Sequence, residues 1–261
     1  MKTANEQRFL DSSGRVEQWP SHQDGKLLVL AYLASKFDPD NTYTEQEVND
    51  LLKEWHTFDD WPLLRRELFD RGFVDRNRDG TNYHLRTIPT PTSDLVLAMP
   101  SVVRDAPIAV GWLAGDEGRE TLRLMGNTDE HNKPSKLSEE QERIRGFITD
   151  SEQTTWMMIY QGTPVGAIWV DRKSTKYLPA PSPHMMIGDP AVRGKGLGEA
   201  ALRTVIGLLR AENRYDRIHT RRLISNQGAA RLQAKLGFTS EGHPYKDEDG
   251  LDWQNVSLDL N

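Results

Sequence analysis

The stretch AVRGKGLGEAAL, residues 191–202, combines three glycines with two cationic side chains and then continues in a helical pattern. The apolar residues that follow at the spacing of one helix face are Leu202, Val205, Ile206 and Leu209. The run HMMIGDP, residues 184–190, precedes the stretch and is typical of a short strand ended by a proline. Glycines and a helix start expose unpaired N–H groups beside a partial positive charge. The order therefore predicts a phosphate-binding loop, although a tight turn that merely joins strand to helix explains it as well.

The motif around this loop separates it from other phosphate loops. Arg193, Gly196 and Gly198 form the pattern R-x-x-G-x-G, whereas the Walker loop requires Gly-Lys followed by Ser/Thr. Downstream, IHTRRLISNQGAARLQAKLGF (218–238) supplies a strand, Asn226 and a helix closed by KLGF. The two motifs together resemble the GCN5-related N-acetyltransferases (GNAT) over roughly residues 94–260. EEQERIRGFI, GTPVGAIWV and IGDP resemble most closely the ribosomal-protein and aminoglycoside 6′-acetylating branches of that superfamily.

The resemblance implies an α/β fold of the α+β kind, with a central mixed sheet whose two middle strands splay apart. It implies acetyl-CoA as cosubstrate, with the pantetheine arm in the gap beside Met185–Gly188 and the pyrophosphate on 192–198. It implies direct attack of an amine on the thioester. The seven histidines of the chain are scattered without the spacing of metal ligands, so we expect no metal. The residues that the resemblance assigns to acetyl-CoA are Met186, Ile187, Gly188, Val192, Arg193, Gly194, Lys195, Gly196, Leu197, Gly198 and Asn226.

The proton transfers are assigned from residue type. Many relatives place a glutamate on the strand before the glycine loop, and this chain has His184 near that position. Histidine titrates close to neutral pH and so can serve as a general base, although a surface histidine at a strand end is equally consistent. The family's usual acid is a tyrosine shortly before KLGF, where this chain has Gln233. Glutamine cannot protonate a thiolate, so water or another residue, such as Tyr215 or Tyr245, would supply that proton.

Composition limits the class of protein. The chain has 261 residues, 36% apolar and 28% charged, no cysteine and a net charge of −6. Such a composition is typical of a globular protein, and the absence of cysteine excludes a thiolate nucleophile, a disulfide framework and a zinc–thiolate site. No apolar run reaches the length of a membrane helix, and no secretory signal is recognisable at the start. We therefore expect a cytoplasmic protein that does not enter a membrane.

The segment TIPTPTSD, residues 87–94, contains two prolines and little to bury, and we interpret it as a linker. It divides the chain into a domain over 1–86 and a GNAT domain over 95–261. In the first domain, apolar spacing predicts three helices, the second opened by a capping box at Thr44 and Glu47, followed by a hairpin around Asp79–Gly80. This order predicts a winged helix, and the segment resembles a small uncharacterised domain family.

Arginines on the third helix and the hairpin raise the question of DNA binding. Residues 1–88 hold 12 lysines and arginines against 16 aspartates and glutamates, which argues against a nucleic-acid surface. The alternative function is nevertheless a transcriptional regulator, in which the winged helix binds DNA and the GNAT fold senses acetyl-CoA. A homodimer is left open.

The GNAT part has its own element order. We expect a strand at LVLAM, a helix opened by Asp105, a helix capped by Ser138 and two strands around Gln161–Pro164. Acidic clusters in the regions where relatives bind acceptors indicate a polycationic small molecule, such as an aminoglycoside or polyamine; a peptide N-terminus remains equally open, and so does a plain solvated surface. These clusters are GDEGRE (115–120), TDEHNK (128–133) and KDEDGLD (246–252).

Overall fold

The computed structural model describes residues 8–34, 36–38, 41–92, 94–128 and 135–260, and the chain packs as two compact units. The bounds of the first unit are Met1–Thr87, Ala98–Pro107 and Leu137–Thr149. The bounds of the second unit are Ile88–Leu97, Ile108–Lys136 and Asp150–Asn261. Two segments beyond residue 95 therefore pack with the N-terminal part of the chain.

The first unit combines helices with a small antiparallel sheet. Its elements are α1 (Gln23–Ala34), β1 (Thr42–Thr44), α2 (Glu45–Trp55), α3 (Trp61–Asp70), β2 (Val74–Arg76) and β3 (Asn82–Leu85). The strand order is β1-β3-β2, and both ladders are antiparallel. The three expected helices and the hairpin are present, whereas the three-residue strand β1 was not predicted. The assignment to the winged-helix class stays a prediction.

Local signals explain where these helices begin. The Thr44 side chain accepts from the Glu47 N–H and the Glu47 carboxylate accepts from the Thr44 N–H, which confirms the capping box at the start of α2. Asp60 caps α3 by accepting from the N–H of Leu63, and proline follows in the first turn. Each helix therefore starts at the residue that can satisfy its free N–H groups.

The core of the first unit extends beyond the N-terminal segment. Two later helices contribute to it, α4 (Val102–Trp112), through its first half, and α6 (Leu137–Thr149). The later residues buried in this core are Val102, Ala106, Ile144 and Ile148. Residues 1–86 alone would thus leave part of their apolar surface uncovered.

The second unit is built on two sheets. The first has the order β4-β5-β6-β7-β8 and the second the order β10-β11-β9. The strands of the first sheet are β4 (Thr87–Pro89), β5 (Leu95–Ala98), β6 (Gln153–Tyr160), β7 (Thr163–Asp171) and β8 (Ser182–Ile187). The strands of the second sheet are β9 (Arg217–Leu223), β10 (Thr239–Lys246) and β11 (Asp252–Asp259). The helices of this unit are the end of α4, α5 (Gly115–Leu124), α7 (Leu197–Glu212) and α8 (Gln227–Lys235). Every ladder whose register is resolved is antiparallel, and the splayed central sheet that was expected is divided between β8 and β9 into these two sheets.

The two sheets meet at β8 and β9 but separate at once. The His219 N–H donates to the Pro181 carbonyl at 3.1 Å, and no backbone hydrogen bond joins Ser182–Ile187 to β9 in the described chain. At the far end of β8, the N–H groups of Gly188 and Asp189 both donate to the Val165 carbonyl, at 2.9 and 3.1 Å. Two residues opposite one form a β-bulge, which turns the strand away from its neighbour. The free edge of β8 therefore faces the gap between the sheets.

Three expectations for this half of the chain need correction. Helix α4 begins at Val102, because Ser101 accepts from the Arg104 N–H at its start, whereas Asp105 is fully buried in an ion pair with Arg104. Helix α6 begins at Leu137, so Ser138 lies inside it. The expected linker over 87–94 contains strand β4, which pairs with β5.

Helix α5 was not expected at all. Its buried face consists of Gly118 and Thr121, neither of which gives an apolar stripe. A Cβ on Gly118 would lie 2.2 Å from the backbone carbon of Leu113, so a close backbone approach, rather than large apolar side chains, fixes this helix.

Candidate active site

The glycine loop lies between the bulge of β8 and the start of α7. Residues Pro190–Val192 form one turn of 3₁₀ helix, capped by the Asp189 side chain, which accepts from the Ala191 N–H at 2.9 Å. Val192 and Leu197 are buried and hold the loop at its two ends. Gly194 and Gly196 between them have φ values of +76° and +81°, which a side chain would strain.

The loop presents a set of unpaired donors. Among the described residues, nothing accepts a hydrogen bond from the N–H groups of Gly194, Gly196, Leu197, Gly198 and Glu199. Gly196 caps α7 without a side chain, and the first intrahelical bond runs from the Ala200 N–H to the Gly196 carbonyl. These five N–H groups lie at the positive end of a 16-residue helix, which is the arrangement that binds phosphate groups.

The charged side chains around the loop have different tasks. Arg193 is exposed, but its Nη2 donates to Thr121 Oγ1 at 2.6 Å and to the Ile187 carbonyl at 3.1 Å. It therefore fixes the loop to α5 and β8. Lys195 is exposed, and its Nζ lies 5.8 Å from the centre of the Tyr160 ring. Of the two cations in the motif, Lys195 is the one whose charge is free of a hydrogen bond within the described chain.

Glycines around the bulge allow close packing. A Cβ on Gly188 would lie 2.1 Å from the Trp112 ring, and one on Gly166 would lie 2.2 Å from the Met186 carbonyl oxygen. A Cβ on Gly198 would lie 3.2 Å from the Met185 sulfur, so α7 sits directly on β8. The edge of β8 and the loop are thereby held in one place.

Residues 121–238 match the model of the acetyltransferase (GNAT) family. This segment is a GNAT domain. Residues 15–85 match the family described as an uncharacterized protein conserved in bacteria, DUF2087. No curated protein matches the chain by sequence.

Solved structures share the fold of the GNAT domain. Spermidine N-acetyltransferase from Vibrio cholerae, in complex with CoA and spermine, is 15% identical, with a TM-score of 0.52 over 65% of this chain and 97% of that chain. An acetyl transferase from Salmonella typhimurium that modifies the N-terminal serine of ribosomal protein L7/L12 is 15% identical, with a TM-score of 0.54 over 67% of this chain and all of the other. An aminoglycoside acetyltransferase in complex with coenzyme A is 20% identical, with a TM-score of 0.51 over 63% and 94% of the two chains.

The GNAT domain uses Asn226 as a helix cap. Its Oδ1 accepts from the Ala229 N–H at 2.9 Å at the start of α8, and its Nδ2 donates to the Leu124 carbonyl at 3.3 Å. The amide thus joins α8 to the end of α5. Both of its polar atoms have structural partners, so a contact from Asn226 to a cofactor stays a prediction.

His184 lies on β8 opposite Trp169 of β7. The two rings are stacked, with centroids 5.7 Å apart. His184 Nε2 is 3.2 Å from Asp171 Oδ2, and both side chains are partly exposed. A proton on Nε2 then leaves the lone pair of Nδ1 available as a base.

Asp171 connects His184 to a polar row on the same sheet face. Its Oδ1 accepts from Gln153 Nε2 at 2.8 Å, and Gln153 Oε1 accepts from Thr155 Oγ1 at 3.0 Å. Burial disfavours the charged Asp171 carboxyl, but hydrogen bonds from His184 and Gln153 outweigh it, so its pKa lies below the ordinary value. Sequence reasoning missed Asp171, because only the β7–β8 register brings residues 171 and 184 together.

The residues considered for the role of general acid lie in different parts of the domain. Tyr215 follows the far end of α7, about 24 Å of helix from Gly196, beside the Arg172 guanidinium. The Tyr245 hydroxyl is 3.2 Å from Arg221 Nη1 and donates to Asn255 Oδ1. Gln233 is buried in α8, and its Oε1 has no hydrogen-bond partner in the described chain.

The acidic clusters are largely paired within the molecule. Asp116 and Glu120 pair with arginines one turn along α5. Asp247 accepts from the Leu251 N–H and from the Trp253 indole, and Glu248 pairs with Lys176. Residues 129–133 of the cluster TDEHNK lie outside the described residues. The carboxylates of 115–120 and 246–252 thus stabilise a helix and a turn, and the support that they gave to a polycationic acceptor is weaker.

Several arginines of the first unit also make contacts within the protein. Arg65 pairs with Glu45, and Arg71 bonds Glu67 and Gln23. Arg76 lies 4.3 Å over the Phe69 ring. These contacts add no support to the DNA-binding alternative.

The described residues contain no group of three or more His, Cys, Asp or Glu side chains that could hold a metal ion. None of their helices has the length and apolar character that crossing a bilayer requires.

Proposed function

We propose that the chain is an N-acetyltransferase that moves the acetyl group of acetyl-CoA to a primary amine. The observation that carries this function is the set of five unpaired N–H groups at Gly194–Glu199, at the end of the open edge of β8. Membership of residues 121–238 in the GNAT family supports the assignment.

The residues of the loop fit a pyrophosphate. Backbone N–H groups and the free cation Lys195 would receive its oxygens, while Arg193 keeps the loop in place. The pantetheine arm would lie along the free edge of β8, where Ser182–Ile187 have no partner in β9. The arm would pair there as an added strand does. Met186, Ile187 and Gly188 would contribute backbone groups to this contact.

His184 is the base in the proposed reaction. It takes the proton of the ammonium through Nδ1, while Asp171 holds Nε2. The free amine then attacks the thioester carbonyl and the new C–N bond forms. The adduct loses its second N–H proton to solvent, the C–S bond breaks, and the thiolate leaves with the electron pair. Water protonates that thiolate, since Gln233 cannot donate a proton to it at neutral pH.

The acceptor is a small-molecule amine or a peptide N-terminus. Structures with this fold that are named for spermidine, for a ribosomal protein N-terminus and for aminoglycosides make all three classes candidates. The pairing of most acidic residues within 115–120 and 246–252 weakens the reason for preferring polycations.

A free-thiol release assay tests the function. The chain is incubated with acetyl-CoA and a panel of polyamines, aminoglycosides and peptides with free N-termini. Thiol release that depends on the amine and falls in His184→Ala is expected. CoA binding without release for any amine would favour a sensor, and the absence of CoA binding would overturn the proposal.

A further inference from the structure

Arg221 occupies an unusual position on the second sheet of the GNAT domain. Its guanidinium carbon lies 3.9 Å over the Trp253 ring and 4.5 Å over the Tyr177 ring. The Tyr177 and Tyr245 rings are stacked on each other, and the Tyr177 carbonyl accepts from the Asn255 amide at 2.9 Å. This aromatic cluster fixes the plane of the guanidinium.

The guanidinium has few hydrogen-bond partners. One nitrogen, Nη1, donates to the Tyr245 hydroxyl at 3.2 Å. In the described chain no carboxylate lies within 4 Å of Arg221, although the side chain is only partly exposed. Since a guanidinium has five N–H donors, most of its hydrogen-bonding capacity is unused.

No carboxylate of the described chain contacts the guanidinium directly. Burial opposes the charge of Asp247, but the hydrogen bonds of its own turn and, to a smaller extent, the Arg221 charge lower its pKa. Asp247 accepts from the Trp253 indole at 2.7 Å and from backbone N–H groups of its own turn. Glu241 pairs with His219 Nδ1 at 2.9 Å. A second cation, Lys176, lies 4.8 Å from the centre of the Tyr177 ring and pairs with Glu248. Each carboxylate around the cluster thus has another partner.

Arg221 and His184 share one face of the domain. On β9, Ile218 packs in the core beneath α7, so the alternate residue Arg221 points to the opposite face. On β8, Met185 contacts Gly198 of α7, so His184 also points to the opposite face.

Arg221 and His184 also lie at similar distances along their strands. Helix α7 connects β8 to β9, which is the kind of crossover that parallel neighbouring strands require, and we infer that the two strands run in the same direction. Counted from the hydrogen bond between Pro181 and His219, Arg221 is two residues along β9 and His184 three along β8. These steps correspond to about 7 and 10 Å. The two side chains therefore flank the opening gap between the sheets.

We propose that Arg221 binds an oxyanion, a carboxylate or a phosphate, on the acceptor whose amine reacts beside His184. Planar guanidinium forks bind such groups through two parallel hydrogen bonds, and flanking rings hold the fork and exclude water. The acceptor is then an amine that carries its own negative charge, such as an amino acid, a peptide acid or an amino-alkyl phosphate. This inference rests on the proposed acetyl transfer.

Matched amine pairs test the inference in the full-length chain. Each pair differs only in the anionic group: glycylphenylalanine and its carboxamide, lysine and lysinamide, and phosphoethanolamine and ethanolamine. We expect the anionic member of at least one pair to have a kcat/KM roughly 10- to 100-fold higher than its neutral partner. This factor corresponds to the free energy of one hydrogen bond to a charged group. Preference in the first two pairs alone identifies a carboxylate, and preference in the third a phosphate.

Variants separate recognition from folding. Arg221→Gln should abolish the preference for the anionic member of each pair, and Arg221→Lys should restore part of it. Arg217→Gln is the matched control, because Arg217 lies on the same strand and pairs with Asp259 at an exposed site. CoA affinity and thermal unfolding, measured on each variant, show whether the fold and the loop are intact. Calorimetric titration of N-acetylglycylphenylalanine into the CoA-loaded chain adds a readout independent of turnover.

The outcomes distinguish the two proposals. Equal rates for both members of every pair, or a preference that persists in Arg221→Gln, overturn the role of Arg221. The absence of turnover with all anionic amines, in a chain that binds CoA, overturns it as well. Failure to bind CoA contradicts the acetyltransferase proposal instead.

Discussion

The contact between His184 and Asp171 predicts that the Asp171 carboxylate contributes to catalysis. His184 Nε2 is 3.2 Å from Asp171 Oδ2, and the His184 ring is stacked against Trp169, so the ring has little freedom to turn. The substitution Asp171→Asn keeps the size of the side chain and removes its charge. The imidazolium that forms when the amine loses its proton then lacks a neighbouring negative charge.

The expected loss in kcat/KM follows from the strength of the hydrogen bond between Asp171 and His184. A hydrogen bond to a charged group contributes about 1.5–3 kcal/mol, which corresponds to roughly 10- to 150-fold in kcat/KM. Solvent screening at this partly exposed pair places the expected effect at the lower end of that range. His184→Ala removes the base itself and should cost about 10²- to 10⁴-fold at pH 7 and much less at high pH, where the amine is already free.

The assay is the pH dependence of kcat/KM for thiol release. In Asp171→Asn kcat/KM should be lower than in the native chain across this profile, because the imidazolium that forms during the reaction no longer has a carboxylate beside it. Asp259→Asn is the control, since it removes a carboxylate from an exposed ion pair with Arg217 in the same unit. An unchanged profile in Asp171→Asn, or a silent His184→Ala at pH 7, would refute this assignment of the base.

Three further predictions concern stability and partners. Gln233→Met should raise the free energy of unfolding by about 1–3 kcal/mol in a denaturant titration, because it removes a buried oxygen without a partner, and should change kcat only modestly; a loss of stability would contradict this. A chain that begins at residue 95 should aggregate in size-exclusion chromatography, because Ala106 and Ile144 lose their apolar cover, and a monodisperse, folded fragment would show that cover to be dispensable. The intact chain should not bind duplex DNA with submicromolar, salt-sensitive affinity in fluorescence anisotropy, since Arg65 already pairs with Glu45.

Local sequence signals predicted much of the fold. The capping box at Thr44 and Glu47, the apolar stripe of α7 and the glycine pattern at 193–198 each act within a few residues, so the sequence shows them directly. Helix α5 was missed because its buried residues, Gly118 and Thr121, carry no large apolar side chain. A hydrophobic repeat cannot predict a helix such as α5, in which a close backbone approach replaces the burial of large apolar side chains.

The site was predictable only in part, for a related reason. The loop is one continuous segment, whereas Asp171 reaches His184 through the register of two strands. Arg193 had an expected charge but an unexpected partner, because Thr121 lies 72 residues earlier in the chain. The packing of 98–107 and 137–149 with the N-terminal unit also depends on long-range contacts, which composition cannot indicate.

The binding of CoA by the glycine loop is tested most directly by isothermal calorimetry on the full chain. Gly196 and Gly80 both have positive φ values, of +81° and +73°, and no atom closer than about 4 Å to an added Cβ. Aspartate tolerates this backbone conformation, so Gly196→Asp and Gly80→Asp carry the same strain and the same charge. The account predicts that CoA binds to the native chain and to Gly80→Asp, and at least about 10-fold more weakly to Gly196→Asp, because like charges a few ångströms apart repel. Equal affinity of the two variants, with both folded, would contradict it.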